Sequence, residues 1–175
     1  MTHYYTTSNF VTGSAPPQSP QERAASEKDL VELWYATPLM KMNGDDAFVC
    51  LTLCFPLIEA IIRYELEIAD DQIVTLSDDS PALKWFAKFM SIPEVQARAT
   101  WDGLRNGLLH RAMIKTEIDY ELSPDMPGRI AEFRDGKIYL FVWELRNAVV
   151  TQVRRLHKKL WKDTSSPLPR VYLKQ

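Results

Sequence analysis

Apolar residues recur at helical spacing along most of the chain, which predicts a mainly α-helical protein. The first helix is expected from Ser19 or Pro20, where a capping serine precedes a proline and then Glu22. Pro38 is expected to bend or end this helix. The positions that follow its helical period are Leu30, Leu33, Trp34, Thr37 and Met40 or Lys41.

The most apolar stretch covers residues 47–62 and predicts the central helix of the core, over about 46–68. Pro56 and Glu59 interrupt this stretch, and it is shorter than the roughly 20 residues that a membrane span needs. We therefore expect a buried helix and no membrane contact. Pro56 either kinks the helix or separates two helices. Asn43 and Gly44 predict a turn before it, with Asp45 or Asp46 as the cap.

Two more helices are expected before the pattern changes. Ser80 and Pro81 predict a helix that ends near Met90, and Pro93 and Glu94 predict one over about 93–114. The second of these contains two glycines, each of which costs a helix up to about 1 kcal/mol relative to alanine. A close neighbour or a bend is therefore expected at Gly103 and Gly107.

The pattern after Lys115 alternates and predicts β structure. Residues 116–122 alternate, and two β-like runs flank Asp135-Gly136, a dipeptide typical of tight hairpins. A last helix is expected over about 143–161, and its predicted buried stripe is Leu145, Val149, Val153 (or Gln152), Leu156 and Leu160. The expected fold is a bundle of about five helices with a small antiparallel β-hairpin inserted before the last helix.

Length and composition favour one domain. A chain of 175 residues with 46% hydrophobic residues can form a single core. We expect that domain over 21–163, between a flexible N-terminal tail over 1–20 and a C-terminal tail over 164–175. The N-terminus lacks the pattern of a signal peptide, which indicates a cytoplasmic protein.

The cysteines and histidines predict neither a disulfide nor a metal site. Cys50 and Cys54 are four residues apart in an apolar helix, which does not suit a disulfide, and we expect both to be small buried hydrophobes. Cysteine and histidine are too few for a zinc site of ordinary spacing. We expect no metal and no cofactor.

Charge is unevenly distributed, although the net charge is only −2. Residues 65–79 hold six acidic side chains and no basic one, whereas residues 154–162 hold five lysines or arginines and no acidic residue. The basic face of the last helix, with Arg154, Arg155 and Lys158, is either ordinary solvated surface or a contact for RNA phosphates.

Arg105, Asn106 and His110 form the one concentrated candidate site, all within a predicted helix. Asn106 and His110 share a face because they are four residues apart, with Arg105 about 100° round the helix from Asn106. An imidazole suits proton transfer near neutral pH, and a guanidinium binds phosphate oxygens without losing its charge. In the alternative interpretation, Arg105 pairs with Asp102 or Glu59 and His110 is a surface residue.

This motif resembles the Arg-x4-6-His motif of the HEPN superfamily, in which a polar residue, often Asn, follows the Arg. The resemblance covers the motif and, loosely, the order of helices before it. Members are α-helical bundles, often dimeric, and many are metal-independent endoribonucleases of toxin–antitoxin, phage-defence or RNA-processing systems. Others are non-catalytic binding modules. The resemblance implies catalytic roles for Arg105, Asn106 and His110 in this chain.

RNA binding and a dimer follow as further expectations. A site on one helix is expected to be completed by a second copy across a two-fold axis, through the helix of Gly103 and Gly107. The resemblance also implies an antitoxin or other regulatory partner. Some residues are expected to contact RNA or to support the side chains that do. They are Arg63, Tyr64, Arg111, Arg154, Arg155 and Lys158.

Two other function classes use the same sequence features differently or lack support in them. A non-catalytic helical dimerisation or interaction module would use the same helices without cleaving RNA. A small-molecule enzyme is not supported, because the sequence has no phosphate-binding glycine loop, nucleophile elbow or metal cluster.

Overall fold

The computed structural model describes residues 32–69, 72–107, 119–123 and 126–162, all within the predicted domain. The predicted tails and the predicted start of the first helix lie outside the described residues. The described residues are mainly helical, with a three-stranded sheet before the last helix. Their elements are α1 (Thr37–Lys41), α2 (Ala47–Glu65), α3 (Pro81–Met90), α4 (Glu94–Thr100), β1 (Asp119–Ser123), β2 (Ala131–Arg134), β3 (Lys137–Phe141) and α5 (Val142–Lys162).

Helix α2 is the centre of the core, as the apolar pattern predicts. It follows a 3-10 turn over Gly44–Asp46, where the Asn43 N–H donates to Asp46 Oδ2 at 3.2 Å. The helix is continuous through Pro56, so it is not divided into two helices. Among the described residues, Gly44–Glu65 alone is long and apolar enough to cross a membrane. Its buried side chains belong to the hydrophobic core, which is consistent with a soluble protein.

The chain before α2 is one helical rod, Glu32–Lys41, made of a π-helical turn (Glu32–Ala36) that continues into α1. Pro38 does not end it, since the rod continues through this residue to Lys41. Ala36 and Leu39 are buried, and the rod packs against α5. Three of the predicted apolar positions, Leu33, Trp34 and Met40, are instead exposed. The apolar period correctly predicted a helix. The side of the helix that packs against α5 is, however, the one with Ala36 and Leu39, not the one with the predicted apolar positions.

Helices α3 and α4 begin at the predicted signals. The Ser80 hydroxyl accepts the Leu83 N–H at 3.1 Å and caps α3. Pro93 is the N-cap residue of α4, and α4 passes into a π-helical turn over Trp101–Asn106, which we call the Arg105 turn. The predicted helix is therefore present over residues 94–107, with a π-helical turn in place of regular α-helical geometry, and residues 108–114 lie outside the described residues.

Aromatic packing fixes the Arg105 turn against the core. The Trp101 ring lies 6.2 Å from Phe55 of α2 and 5.1 Å from Phe86 of α3, measured between ring centroids. Both contacts are edge-on, a favourable geometry for aromatic rings. Gly103 and Gly107 are buried within this one chain. The turn therefore lies at the junction of α2 and α3.

The sheet is mixed rather than a purely antiparallel hairpin. Its strand order is β1-β3-β2, with β2 antiparallel and β1 parallel to β3. Asp135 (φ 54°) and Gly136 (φ 77°) connect β2 to β3, and two positive φ angles are what a tight hairpin turn requires. The antiparallel pair was predictable from Asp-Gly. Alternation over 116–122 indicated a strand, but alternation carries no information on the direction of its neighbour.

Helix α5 follows β3 directly and packs along α2 and the rod. Its stripe is buried as predicted, except that Leu160 lies beyond the part of the helix whose side chains are described. The buried residues of this stripe are Leu145, Val149, Val150, Val153 and Leu156. Cys50 and Cys54 of α2 are both buried free thiols that share a hydrogen bond, with sulfur atoms 4.0 Å apart, and they are part of the same core.

Candidate active site

The Arg105 side chain is held by Glu59 of α2. Arg105 Nε and Nη2 donate to the same carboxylate oxygen, Glu59 Oε2, at 3.1 Å and 2.8 Å. The side chains are 23% and 16% exposed, so the pair is largely shielded from water. Of the two predicted partners of Arg105, Glu59 is thus in contact with it. The pair ties the Arg105 turn to the central helix.

Arg63 contacts the second oxygen of the same carboxylate. Its Nη2 atom lies 3.5 Å from Glu59 Oε1, and its Nη1 atom donates to the Ala69 carbonyl oxygen at 3.0 Å. Glu59 and Arg63 are four residues apart on α2, and their side chains are only 16% and 14% exposed, less than those of an ordinary surface pair. We call Glu59, Arg63 and Arg105 the Glu59 cluster.

The Glu59 cluster holds two positive charges and one negative charge in a partly desolvated place. Electrostatic interactions are stronger there than in water, because the effective dielectric constant is lower. Asp102 lies exposed on the same turn and adds a carboxylate at the solvent side.

The π-helical geometry of the Arg105 turn affects where its side chains point. A π-helix bonds residues five apart, so its side chains are spaced differently from those of an α-helix. The common face predicted for Asn106 and His110 assumed α-helical spacing. The backbone of Asn106 lies in the π-helical turn, whereas His110 and Arg111 lie outside the described residues. Their grouping with Arg105 therefore stays a prediction.

Two basic side chains of α5, those of Arg154 and Arg155, are paired with acidic ones. Arg154 donates to Glu32 of the rod, and Arg155 donates to Glu65 at the end of α2 and to Gln152. Both arginine side chains are nonetheless nearly half exposed, at 48% and 44%. Since Glu65 lies about 9 Å along α2 from Glu59, Arg155 reaches the same end of α2 as the Glu59 cluster.

For two other predicted RNA contacts, Tyr64 and Lys158, the structure gives less detail. Tyr64 is half-buried and packs against the hydrophobic core. Lys158 lies on α5, of which only the backbone is described at that position. Among residues 32–69, 72–107, 119–123 and 126–162, no three His, Cys, Asp or Glu side chains are grouped as metal ligands would be.

Sequence reasoning missed that one carboxylate joins both arginines. The available signal was Glu59 itself, a charged residue within the apolar stretch of the central helix. A carboxylate placed there needs positive partners, because an unpaired charge is costly to bury. No protein-family model, curated protein or solved structure matches this chain.

Proposed function

We propose that this chain is a HEPN-like RNA-binding protein that cleaves RNA without a metal, in a defence or toxin-type system. The reaction is attack of a ribose 2′-hydroxyl on the adjacent phosphate. Arg105 and His110 carry the chemistry, with Asn106 beside them. The motif of these three residues suggests the reaction, and the Glu59 cluster supports the role of Arg105.

The supporting observation is that the Arg105 guanidinium is fixed in position at the surface of the core. Two hydrogen bonds to one Glu59 oxygen hold it, and the side chain is still 23% exposed. A cation that is already oriented stabilises a developing charge without reorganisation during the reaction. Its place on a π-helical turn also supports function, since such turns are frequent at functional sites.

The reaction balances without a metal. His110 accepts the proton of the 2′-hydroxyl as its oxygen bonds to phosphorus, and the bond from phosphorus to the 5′-oxygen breaks. A proton returned by an imidazolium neutralises the leaving oxygen. The products are a 2′,3′-cyclic phosphate and a 5′-hydroxyl end. Arg105 stabilises the charge of the pentacoordinate phosphorane, because its planar guanidinium binds phosphate oxygens.

Flanking phosphates bind to basic side chains near the same end of α2. Arg63 belongs to the Glu59 cluster, and Arg155 reaches that end through Glu65. Arg154, Lys158, Arg111 and Tyr64 complete the set of RNA contacts in this proposal. Arg154 and Arg155 must exchange a carboxylate partner for a phosphate, so each contributes less than an unpaired arginine would.

The test is cleavage of end-labelled RNA by the purified protein in excess chelator. We expect fragments with 2′,3′-cyclic phosphate ends, loss of cleavage in His110→Ala, and a decrease of at least about 100-fold in Arg105→Ala. Arg129→Ala is the matched control, because Arg129 is half exposed in a surface pair with Glu132. Undiminished cleavage by His110→Ala would overturn the catalytic proposal.

The second candidate is a non-catalytic helical interaction module. The observation that favours it is the exposure of Leu33, Trp34 and Met40, an apolar surface on the rod that suits protein contact. In this case the Glu59 cluster only stabilises the fold. The same assay separates the two candidates, since a module leaves RNA uncut in every variant.

A further inference from the structure

The helical rod Glu32–Lys41 is apolar on two opposite sides. Its inner side holds Ala36 and Leu39, which are buried against the rest of the chain. On its other side, Leu33 is 49% exposed and Trp34 and Met40 are each 43% exposed. We call this side the outer stripe, and its members are Leu33, Trp34, Thr37, Met40 and Lys41.

The outer stripe is the exposed apolar side of the rod. Because residues 32–36 are π-helical, the stripe is defined by exposure rather than by helical spacing: Leu33, Trp34 and Met40 are exposed, whereas Ala36 and Leu39 are buried. A helix with apolar residues on both sides is typical of one that is covered on both sides. The outer stripe therefore has the properties of an interaction surface, and the sequence itself indicates what covers it.

We infer that the outer stripe packs against the same stripe of a second copy of this chain, with the two rods antiparallel. The stripe is symmetric about Thr37, because Trp34 and Met40 lie at equal distances before and after it in the sequence. A two-fold axis near Thr37 therefore brings each Trp34 toward the Met40 of the other copy. Sulfur–aromatic contact is favourable, and a symmetric interface makes it twice.

The charges at the two ends of the rod select the antiparallel arrangement. Glu32 lies at the first position of the rod, and exposed Lys41 lies at the last. Antiparallel rods bring Lys41 of one copy toward Glu32 of the other, whereas parallel rods would place like charges together. Glu32 already binds Arg154, so the lysine joins an existing ion pair.

The size of the surface sets the strength of the expected dimer. A standard interface buries about 800 Å² per partner, and three half-exposed apolar side chains supply only part of that area. We therefore expect a dimer that dissociates on dilution. This inference does not depend on the proposed RNA cleavage, because either can be observed without the other.

The first test is sedimentation of the full chain over a range of concentrations. We expect the mass to rise from 20.2 kDa toward twice that value as concentration increases. Trp34→Glu and Met40→Glu should each keep the chain monomeric, with unchanged circular dichroism. Ile73→Glu is the matched control, because Ile73 is apolar and 79% exposed outside the rod, and it should leave the dimer intact.

Cross-linking tests the two-fold axis itself. The only natural cysteines, Cys50 and Cys54, are completely buried, so a substituted cysteine on the rod is the accessible thiol. Thr37→Cys should form a disulfide-linked dimer on oxidation with copper phenanthroline. Met40→Cys should not, because the axis separates the two positions by about 9 Å along the rod, beyond disulfide reach.

Three results would overturn the inference. One is a chain that stays monomeric at every concentration, which would leave residues 1–31 or a different protein as the occupant. Another is a dimer that persists in both glutamate variants, which would place the dimer interface elsewhere, for example at the helix of Gly103 and Gly107. The third is efficient cross-linking of Met40→Cys without cross-linking of Thr37→Cys.

Discussion

Arg105 contacts Glu59 through two nitrogen atoms that share one carboxylate oxygen, at 3.1 Å and 2.8 Å. The other oxygen of Glu59 faces Arg63 at 3.5 Å. One carboxylate on the central helix thus balances two guanidinium groups from different parts of the chain. Its loss would leave two positive charges partly desolvated and close together.

Replacing Glu59 by alanine should therefore destabilise the fold. We expect a loss of about 2 kcal/mol in the free energy of unfolding, between the values for exposed and fully buried ion pairs. Urea denaturation measures it. The matched control is Lys84→Ala, because Lys84 also lies in a helix and its pair with Asp79 is mostly exposed, so it should contribute less than about 0.5 kcal/mol. Equal effects of the two substitutions would show that Glu59 has no special role.

Local signals predicted several elements, because short stretches of sequence determine them. Ser80 followed by proline marked the start of α3, and Asp135-Gly136 marked the turn between β2 and β3. The apolar stretch of residues 47–62 identified the central helix, since a helix without a polar side must be buried.

Features that depend on tertiary contacts were not predictable in the same way. The helical period of the rod did not tell which face meets α5, because apolar residues lie on both sides. The π-helical geometry of the Arg105 turn accompanies packing of Trp101 against Phe55 and Phe86. For the candidate site, the sequence suggested Arg105 and its motif, but the joint contact of Glu59 with Arg63 requires the fold.

Tyr120 should make the stability of the fold fall at high pH. Its hydroxyl donates to the Ala99 carbonyl oxygen at 3.1 Å, and burial raises the pKa of Tyr120 to about 12, although a hydrogen bond with Thr100 opposes the rise. The folded chain thus retains a proton that the unfolded chain loses near pH 10. The free energy of unfolding should fall between about pH 10 and pH 12.

Tyr120→Phe isolates this effect. The variant loses a hydrogen bond, so we expect a cost of about 1 kcal/mol at pH 7. Above pH 10, the free energy of unfolding of the variant should fall less steeply with pH than that of the natural chain, because phenylalanine has no proton to lose. Urea denaturation at a series of pH values checks both results, and identical slopes for the two chains would contradict the assignment to Tyr120.

The turn between β2 and β3 should tolerate Asn at its first position and resist Ala at its second. Gly136 has a φ of 77° with open space around it, so Gly136→Ala should cost about 1 kcal/mol from backbone strain alone. Asp135→Asn is the control, because asparagine adopts positive φ readily and the Arg134–Asp135 pair is exposed. Thermal denaturation compares them, and an unchanged midpoint in Gly136→Ala would contradict the turn geometry.

Cleavage by 2′-hydroxyl attack is tested most directly by removing that hydroxyl from the substrate. Matched oligonucleotides, one of RNA and one fully 2′-O-methylated, are incubated with the purified protein in chelator, and binding of both is measured in parallel. We predict that both bind and that only the RNA is cut, leaving 2′,3′-cyclic phosphate ends. Cleavage of both at similar rates, or no cleavage of either by a folded protein that binds them, would contradict the proposed reaction.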